Sequence, residues 1–342
     1  MTRGVFCPDW TSYEVKRILD LKKNSTIQRR REEAETSMNI HLIGVPLDLG
    51  ASKHGGDLGP AAIRYAGLNL NPHIDEQLRK LGHLLIDEGD LKVPAFKIGP
   101  ERIDDARLRH LEPILDVCGQ LAAAVARNCG PEDFPLVLGG DHSIALGSIT
   151  GVVRARGPVG VIWIDAHADF NTAESTPSGN IHGMPLAALV GIGDKRLVEL
   201  GGTGRKVDPT RVVIIGSRDL DPGEKAFLRE VGVNVFTMKE IDRLGLAAVM
   251  EQAIELATRD TNGLHISFDM DAVDPDYAPG VGTRVAGGLT YREAHLSLEL
   301  IADSGKMTSL ELVEVNPTLD HENRTAILAA ELILSAFGKR IF

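Results

Sequence analysis

The chain has 342 residues, 43% of them hydrophobic, and a formal net charge of -11 from 37 Lys and Arg against 48 Asp and Glu. An apolar share of that size in a chain of that length buries a large core, in one α/β domain or two smaller ones. The acidic balance argues against a nucleic-acid or anionic-membrane surface and suits partners that are cations, either metals or basic small molecules.

Cys7, Cys118 and Cys129 are too few and too scattered for a disulfide framework, so a reducing, cytoplasmic setting is the simplest expectation. No apolar run reaches the ~18 residues that span a bilayer. Residues 1–37 stand apart. Lys16 to Glu35 is crowded with Lys, Arg and Glu over a weak apolar period at Val15, Ile18, Leu19 and Leu21. The segment lacks a signal-peptide hydrophobic region, and its acidic residues argue against a mitochondrial transit peptide. It is expected to be a solvated helix or a disordered arm, with Met38 as a second candidate start and residues 38–342 as one domain.

Short apolar, β-favouring runs then recur at Ile40–Val45, His83–Ile86, Phe134–Leu138, Val159–Ile164, Arg211–Ile215, Val233–Thr237, Leu264–Phe268 and Ser309–Val313. Segments of helical period lie between most of them, at Pro60–Leu68, Ala106–Ala126, Pro222–Glu230, Ala247–Arg259, Tyr291–Asp303 and Thr325–Phe337. Pro60 in a first turn and Thr290 with Glu293 as a capping box mark two of the helix starts. Strands alternating with helices predict parallel βαβ units in one α/β sheet covered on both faces.

Five of the runs end in polar clusters. Phe134–Leu138 leads into Gly139-Gly140-Asp141-His142-Ser143, and Val159–Ile164 into Asp165, His167 and Asp169. Arg211–Ile215 is followed by Arg218, Asp219 and Asp221, Leu264–Phe268 by Asp269, Asp271 and Asp274, and Ser309–Val313 by Glu314 and Asn316. Ligands bind beyond the carboxyl ends of parallel strands, so five such clusters can converge on one crevice. One acidic triplet is as readily a solvated loop; five at equivalent positions argue for a site. The two glycines before Asp141 are expected to allow a tight turn that swings His142 inward.

Residues two apart on an extended segment project to one side. His142, Asp165, His167, Asp169, Asp269 and Asp271 then offer two imidazoles and four carboxylates. That is more than one ion takes and enough for two if carboxylates bridge, and the oxygen-rich set favours manganese over zinc. A calcium loop over Asp269, Asp271 and Asp274 would need a central Gly and a terminal Glu that are not there. Gly280-Val281-Gly282-Thr283 has neither the strand context nor the glycine spacing of a dinucleotide site. Two close divalent ions hold a hydroxide at neutral pH, which makes metal-assisted hydrolysis the reaction class. His182 can move protons near neutral pH, although alone such a loop His is more often merely exposed. Glu314 could ion-pair a cationic headgroup; alone, it reads as a surface carboxylate.

Gly139-Gly-Asp-His-Ser143, Asp165-Ala-His-Ala-Asp169 and Ser267-Phe-Asp-Met-Asp-Ala-Val-Asp-Pro275, in that order, resemble the ureohydrolases, the family of arginases, agmatinases and their relatives, over residues 39–342. The resemblance implies a three-layer α/β/α fold on an eight-stranded parallel sheet and two Mn(II) ions. On it, His142 and Asp169 would bind one ion, His167 and Asp271 the other, and Asp165 and Asp269 would bridge them.

The pattern is most similar to that of bacterial arginases. Asn171, Ser178 and Asn180 match the loop that holds an amino acid's α-carboxylate, Asp221 the α-amino contact, Thr283 a substrate-side threonine, and Glu314 the guanidinium partner. Arg284 stands where the family pattern has proline. The implied reaction is hydrolysis of L-arginine to L-ornithine and urea by a metal-bridging hydroxide. Asp169 would stabilise the tetrahedral intermediate, His182 would protonate the leaving amine, and a homotrimer or homohexamer is expected. The same metal chemistry would serve an agmatinase or a guanidino-acid hydrolase, and a metal-binding homologue without turnover is the alternative of another class.

Overall fold

The computed structural model describes residues 37–94 and 105–341, so the expected N-terminal arm lies outside the described residues. The eight predicted strands all form: β1 (Asn39–Val45), β2 (Leu84–Asp90), β3 (Asp133–Gly139), β4 (Gly160–Ile164), β5 (Val212–Ser217), β6 (Asn234–Thr237), β7 (Leu264–Asp269) and β8 (Met307–Val313). They pair in parallel in one sheet of order β2-β1-β3-β8-β7-β4-β5-β6. The chain leaves β3 for β4 three places further on, and later returns to fill the gap with β8 and β7. That jump is the topological switch at which a crevice opens.

Numbered in chain order, the helices are α1 (Gly59–Asn69), α2 (Ile74–Lys80), α3 (Leu111–Arg127), α4 (Ala145–Arg156), α5 (Pro185–Leu189), α6 (Lys195–Val198), α7 (Pro222–Val231), α8 (Met238–Leu244), α9 (Leu246–Thr258), α10 (Tyr291–Ser304) and α11 (Arg324–Ala336). They cover both faces. On β4, Val161 and Trp163 pack with Ile114 and Leu121 of α3 and Ile149 of α4, whereas Ile162 and Ile164 join the cluster holding Val249 of α9 and Leu298 of α10. Residues of inner strands such as β4 and β5 are therefore buried on both sides, which is why those runs read as continuously apolar, whereas the edge strands β2 and β6 are partly exposed. The Thr290 and Glu293 capping box forms, as expected.

Two differences from the sequence reading have physical causes. Helix α4 was not expected, because Gly147, Ser148, Thr150 and Gly151 are poor helix formers. A Cβ at Gly147 would meet Cys118 O of α3 at 2.5 Å, and one at Gly151 would meet Ala122 O at 2.7 Å, so close helix packing demands these glycines. Helix α3 starts at Leu111 rather than Ala106. His110 has φ 56, and Arg109 N donates to Gly179 O at 3.0 Å, which ties the preceding turn to a loop of the site.

Candidate metal centre and active site

The five polar clusters sit at the carboxyl ends of β3, β8, β7, β4 and β5, which are five neighbours in the sheet. The turn after β3 brings His142 inward for a reason other than the one expected. Gly140 has no positive φ; a Cβ there would lie 1.8 Å from Leu47 O, so close backbone approach requires the glycine. Asp141 braces the same turn, accepting from Gly50 N at 2.7 Å and Ser143 N at 3.0 Å.

All six expected metal ligands come together. His142 Nδ1 lies 3.0 Å from Asp169, 3.1 Å from Asp269 and 3.3 Å from Asp165, and His167 Nδ1 lies 3.1 Å from Asp271 and 3.4 Å from Asp165. The ligand atoms form two groups, His142 with Asp165 and Asp169, and His167 with Asp165 and Asp271, that share Asp165. Asp269 Oδ2 faces His142, while its Oδ1 accepts from Asp271 N at 2.7 Å. Asp165 is held by His167 N at 2.7 Å and Trp163 Nε1 at 2.8 Å, and Asp271 Oδ1 accepts from Ala166 N at 3.2 Å.

The electrostatics ask for cations. Burial raises the pKa of Asp169, Asp269 and Asp271, and neighbouring carboxylates add to it, taking Asp271 to about 6. Burial also pushes Asp165 up, but the two imidazoles outweigh it and hold Asp165 low. Burial alone would lower both histidines; the surrounding carboxylates raise them well above their usual value. A metal-free cluster therefore holds protons where positive charge is needed. His142 Nδ1, buried among three carboxylates, makes no hydrogen bond. Four carboxylates and two imidazoles, with His142 Nδ1 aimed among three of the carboxylates, fit a pair of divalent ions.

Above the cluster lies a cavity of about 220 Å³. His167, Asp169, Asp269 and Asp271 form its floor, with His142 and Asp165 buried behind them. Its walls hold every other expected residue: Asn171, Ser178, Asn180, His182, Asp221, Thr283 and Glu314. Asn171 Nδ2 donates to Asp221 Oδ2 at 2.9 Å, Asn180 Nδ2 to Ser52 Oγ at 2.8 Å, and Ser178 Oγ accepts from Asn180 N at 3.2 Å. Arg284 is not among the cavity-lining residues: its guanidinium donates to Leu319 O at 2.5 Å.

Neither His182 nor Glu314 is a mere surface residue. Glu314 Oε1 accepts from His182 Nδ1 at 3.0 Å and from His142 N at 2.9 Å. Burial raises the Glu314 pKa, but the His182 hydrogen bond and charge overcome this and hold the carboxylate ionised. Burial lowers His182, and Glu314, Asp169 and Asp141 lift it to about 9, from an ordinary 6.5. Because the folded value is raised, the His182 proton stabilises the fold fully below pH 6.5, as long as Glu314 stays ionised, and that contribution is lost as pH climbs through about 9. Asp169 (φ 48) and Glu314 (φ 65) both occupy the left-handed region, at a cost on the order of 1 kcal/mol each. Leu186 N at 3.2 Å holds Asp169 O, and Glu314 N donates to Gly140 O at 2.8 Å, so the surroundings impose the strain.

The sequence reading gave no role to three participants, although it named Arg218 in the polar cluster after β5. Glu224 lines the cavity and accepts from Phe170 N at 2.9 Å and Asp221 N at 2.8 Å; burial pushes its pKa up to about 7. The Asp221-x-x-Glu224 spacing, a capping-box pattern, was the available signal. Arg218 donates to Asp271 O at 2.8 Å, Ala272 O at 3.1 Å and Val285 O at 2.7 Å, clamping the β7 loop to the Thr283 wall. Glu311, in the middle of β8, gave no signal beyond being an acid inside an apolar run.

A parallel sheet whose switch crevice gathers two potential metal-ligand groups sharing a carboxylate, beneath a polar cavity, fits a metal-dependent hydrolase of the α/β class. The comparisons with known proteins agree. A model of the arginase family matches residues 38–338. The arginase of Bacillus caldovelox is 49% identical over 302 residues, 88% of this chain and 99% of that protein. The arginase of Bacillus subtilis (strain 168) is 47% identical over 302 residues, 88% of this chain and 98% of that one. The crystal structure of arginase from Bacillus cereus superposes with a TM-score of 0.82 at 48% identity, covering 89% of this chain and 100% of that chain. This chain belongs to the arginase family.

Proposed function

We propose that this protein hydrolyses L-arginine to L-ornithine and urea, with two Mn(II) ions held by His142, Asp165, His167, Asp169, Asp269 and Asp271. The observation that carries the reading is the cavity itself. An ionised Glu314, hydrogen-bonded to His142 N and His182, and the polar side chains of Asn171, Ser178, Asn180 and Asp221 line the same cavity as the ligand cluster. A guanidinium suits the Glu314 carboxylate and an α-amino acid headgroup suits the polar set. Bound there, the ions supply Lewis acidity and a water made nucleophilic at neutral pH.

The protein's own residues do the rest. Glu314 uses the oxygen not committed to His182 to orient the guanidinium and fix which carbon meets the floor. Asn171, Ser178 and Asn180 hold the α-carboxylate, Asp221 accepts from the α-amino group, and Thr283 closes the wall. Asp169 accepts an N–H of the reacting carbon's substituents as charge builds. His182, cationic at neutral pH, donates its Nδ1–H as a hydrogen bond to Glu314 and holds the Nε2 proton for the departing amine. The alternatives, agmatine or a guanidino acid, lack one of the two headgroup charges. A homotrimer or homohexamer in the cytoplasm goes with this reading; among the described residues, no helix is long and apolar enough to cross a membrane.

Removing the headgroup contacts tests the reading. Asn171→Ala and Ser178→Ala are expected to lower kcat/KM for L-arginine by about 10- to 100-fold, the worth of a charged hydrogen bond, while agmatine, with no carboxylate, changes little. Equal losses on both substrates would remove Asn171 and Ser178 from the headgroup site.

A further inference from the structure

Behind the metal cluster a polar stripe runs through the sheet, and its inner members have no part in the reaction so far. On β7, His265, Ser267 and Asp269 share one face, and the register sets His265 beside Ser309 and Ser267 beside Glu311 on β8. Glu311 is fully buried. Ser267 Oγ donates to it at 2.7 Å, Ser148 Oγ of α4 donates to its other oxygen, and His265 Nε2 lies 3.4 Å away. A carboxylate kept inside a sheet without Lys or Arg is costly, and an apolar residue of like size would ordinarily serve the core as well or better.

The protons can be counted. A carboxylate only accepts, so Ser267 spends its one hydroxyl proton on Glu311. Ser267 Oγ can then only accept from His142 Nε2, which lies 2.7 Å away. His142 Nε2 therefore carries a hydrogen, and in the neutral imidazole the lone pair is left on Nδ1, the atom facing Asp165, Asp169 and Asp269. The ring plane is pinned as well, stacked on Trp163 at 4.0 Å and 9°.

We propose that Glu311 is a positioning residue for the metal centre, acting through Ser267 to set the tautomer and orientation of His142 so that Nδ1 is ready to bind an ion. This rests on the reading of the His142 cluster as a binuclear site. Partners of this kind behind a ligating histidine are worth about 10- to 100-fold in metal affinity.

The test is equilibrium dialysis of Mn(II) against the wild-type protein, Ser267→Ala and Glu311→Gln, with bound metal quantified and the manganese pair followed by electron paramagnetic resonance. In Glu311→Gln the side-chain amide can donate to Ser267, freeing the hydroxyl proton to turn toward His142 and favour the wrong tautomer. Both variants are expected to bind one of the two ions about 10- to 100-fold more weakly and to lose the spin-coupled signal at limiting metal. Excess Mn(II) should restore kcat with KM for L-arginine unchanged, which a general loosening of the fold would not produce. Two ions bound with wild-type affinity in both variants would overturn the proposal and leave the binuclear reading standing. A wild-type protein that binds no pair of ions would overturn both. If Glu311→Gln does not fold, Ser267→Ala decides alone.

Discussion

Asp165→Asn is expected to abolish binding of both metal ions and to lower turnover by at least about 10³-fold, the scale of losing several kcal/mol of Lewis-acid stabilisation. Asp165 is the one residue common to the two ligand groups. It is fully buried, and its oxygens already take Trp163 Nε1 and His167 N, so asparagine can keep the shape but must turn an amide N–H toward one donor and one ion. Asp271→Ala, in contrast, removes a ligand from the His167 group alone and is expected to leave the other ion bound while turnover is lost. Metal content after dialysis, read beside circular dichroism, checks both. Two ions per chain in folded Asp165→Asn would contradict the shared position.

Glu314→Gln is the second large effect, and it should separate metal binding from substrate binding. The carboxylate is not in either ligand group, so both ions should remain. Loss of a desolvated charge opposite a guanidinium costs about 2–5 kcal/mol, or roughly 30- to several-thousand-fold in kcat/KM. A second consequence is independent of turnover. Glu314 is the chief cause that lifts His182 to about 9, so in metal-free Glu314→Gln the His182 resonances should titrate closer to 6.5. Unchanged titration would mean that Glu314 does not hold the His182 proton.

Much of this site was legible because parallel-sheet chemistry is local. Each ligand lies within a few residues of the carboxyl end of its strand, and an apolar run ending in Asp165-x-His167-x-Asp169 states both the strand and its cargo. That β3, β8, β7, β4 and β5 are neighbours could only be surmised, since strand order rests on long-range packing. What stayed hidden depended on partners distant in sequence. Helix α4 forms against its own propensity because α3 accepts it at Gly147 and Gly151. His182 and Glu314 are 132 residues apart, so neither alone betrayed a pair that sets the charge of both. Glu311 looked like an exception in a strand until Ser267 and His142 stood beside it. Helix α8 was the avoidable omission, for Thr237 and Glu240 form a capping box that the sequence displays openly.

The most direct measurement is urea release by the manganese-loaded protein, with kcat/KM determined side by side for L-arginine, agmatine and guanidinobutyrate. L-arginine should exceed each of the others by at least about 10²-fold, because unfilled polar positions for the α-carboxylate and α-amino group penalise substrates that lack them. Equal or greater kcat/KM for agmatine or guanidinobutyrate would contradict the assignment of Asn171, Ser178, Asn180 and Asp221 to an amino-acid headgroup.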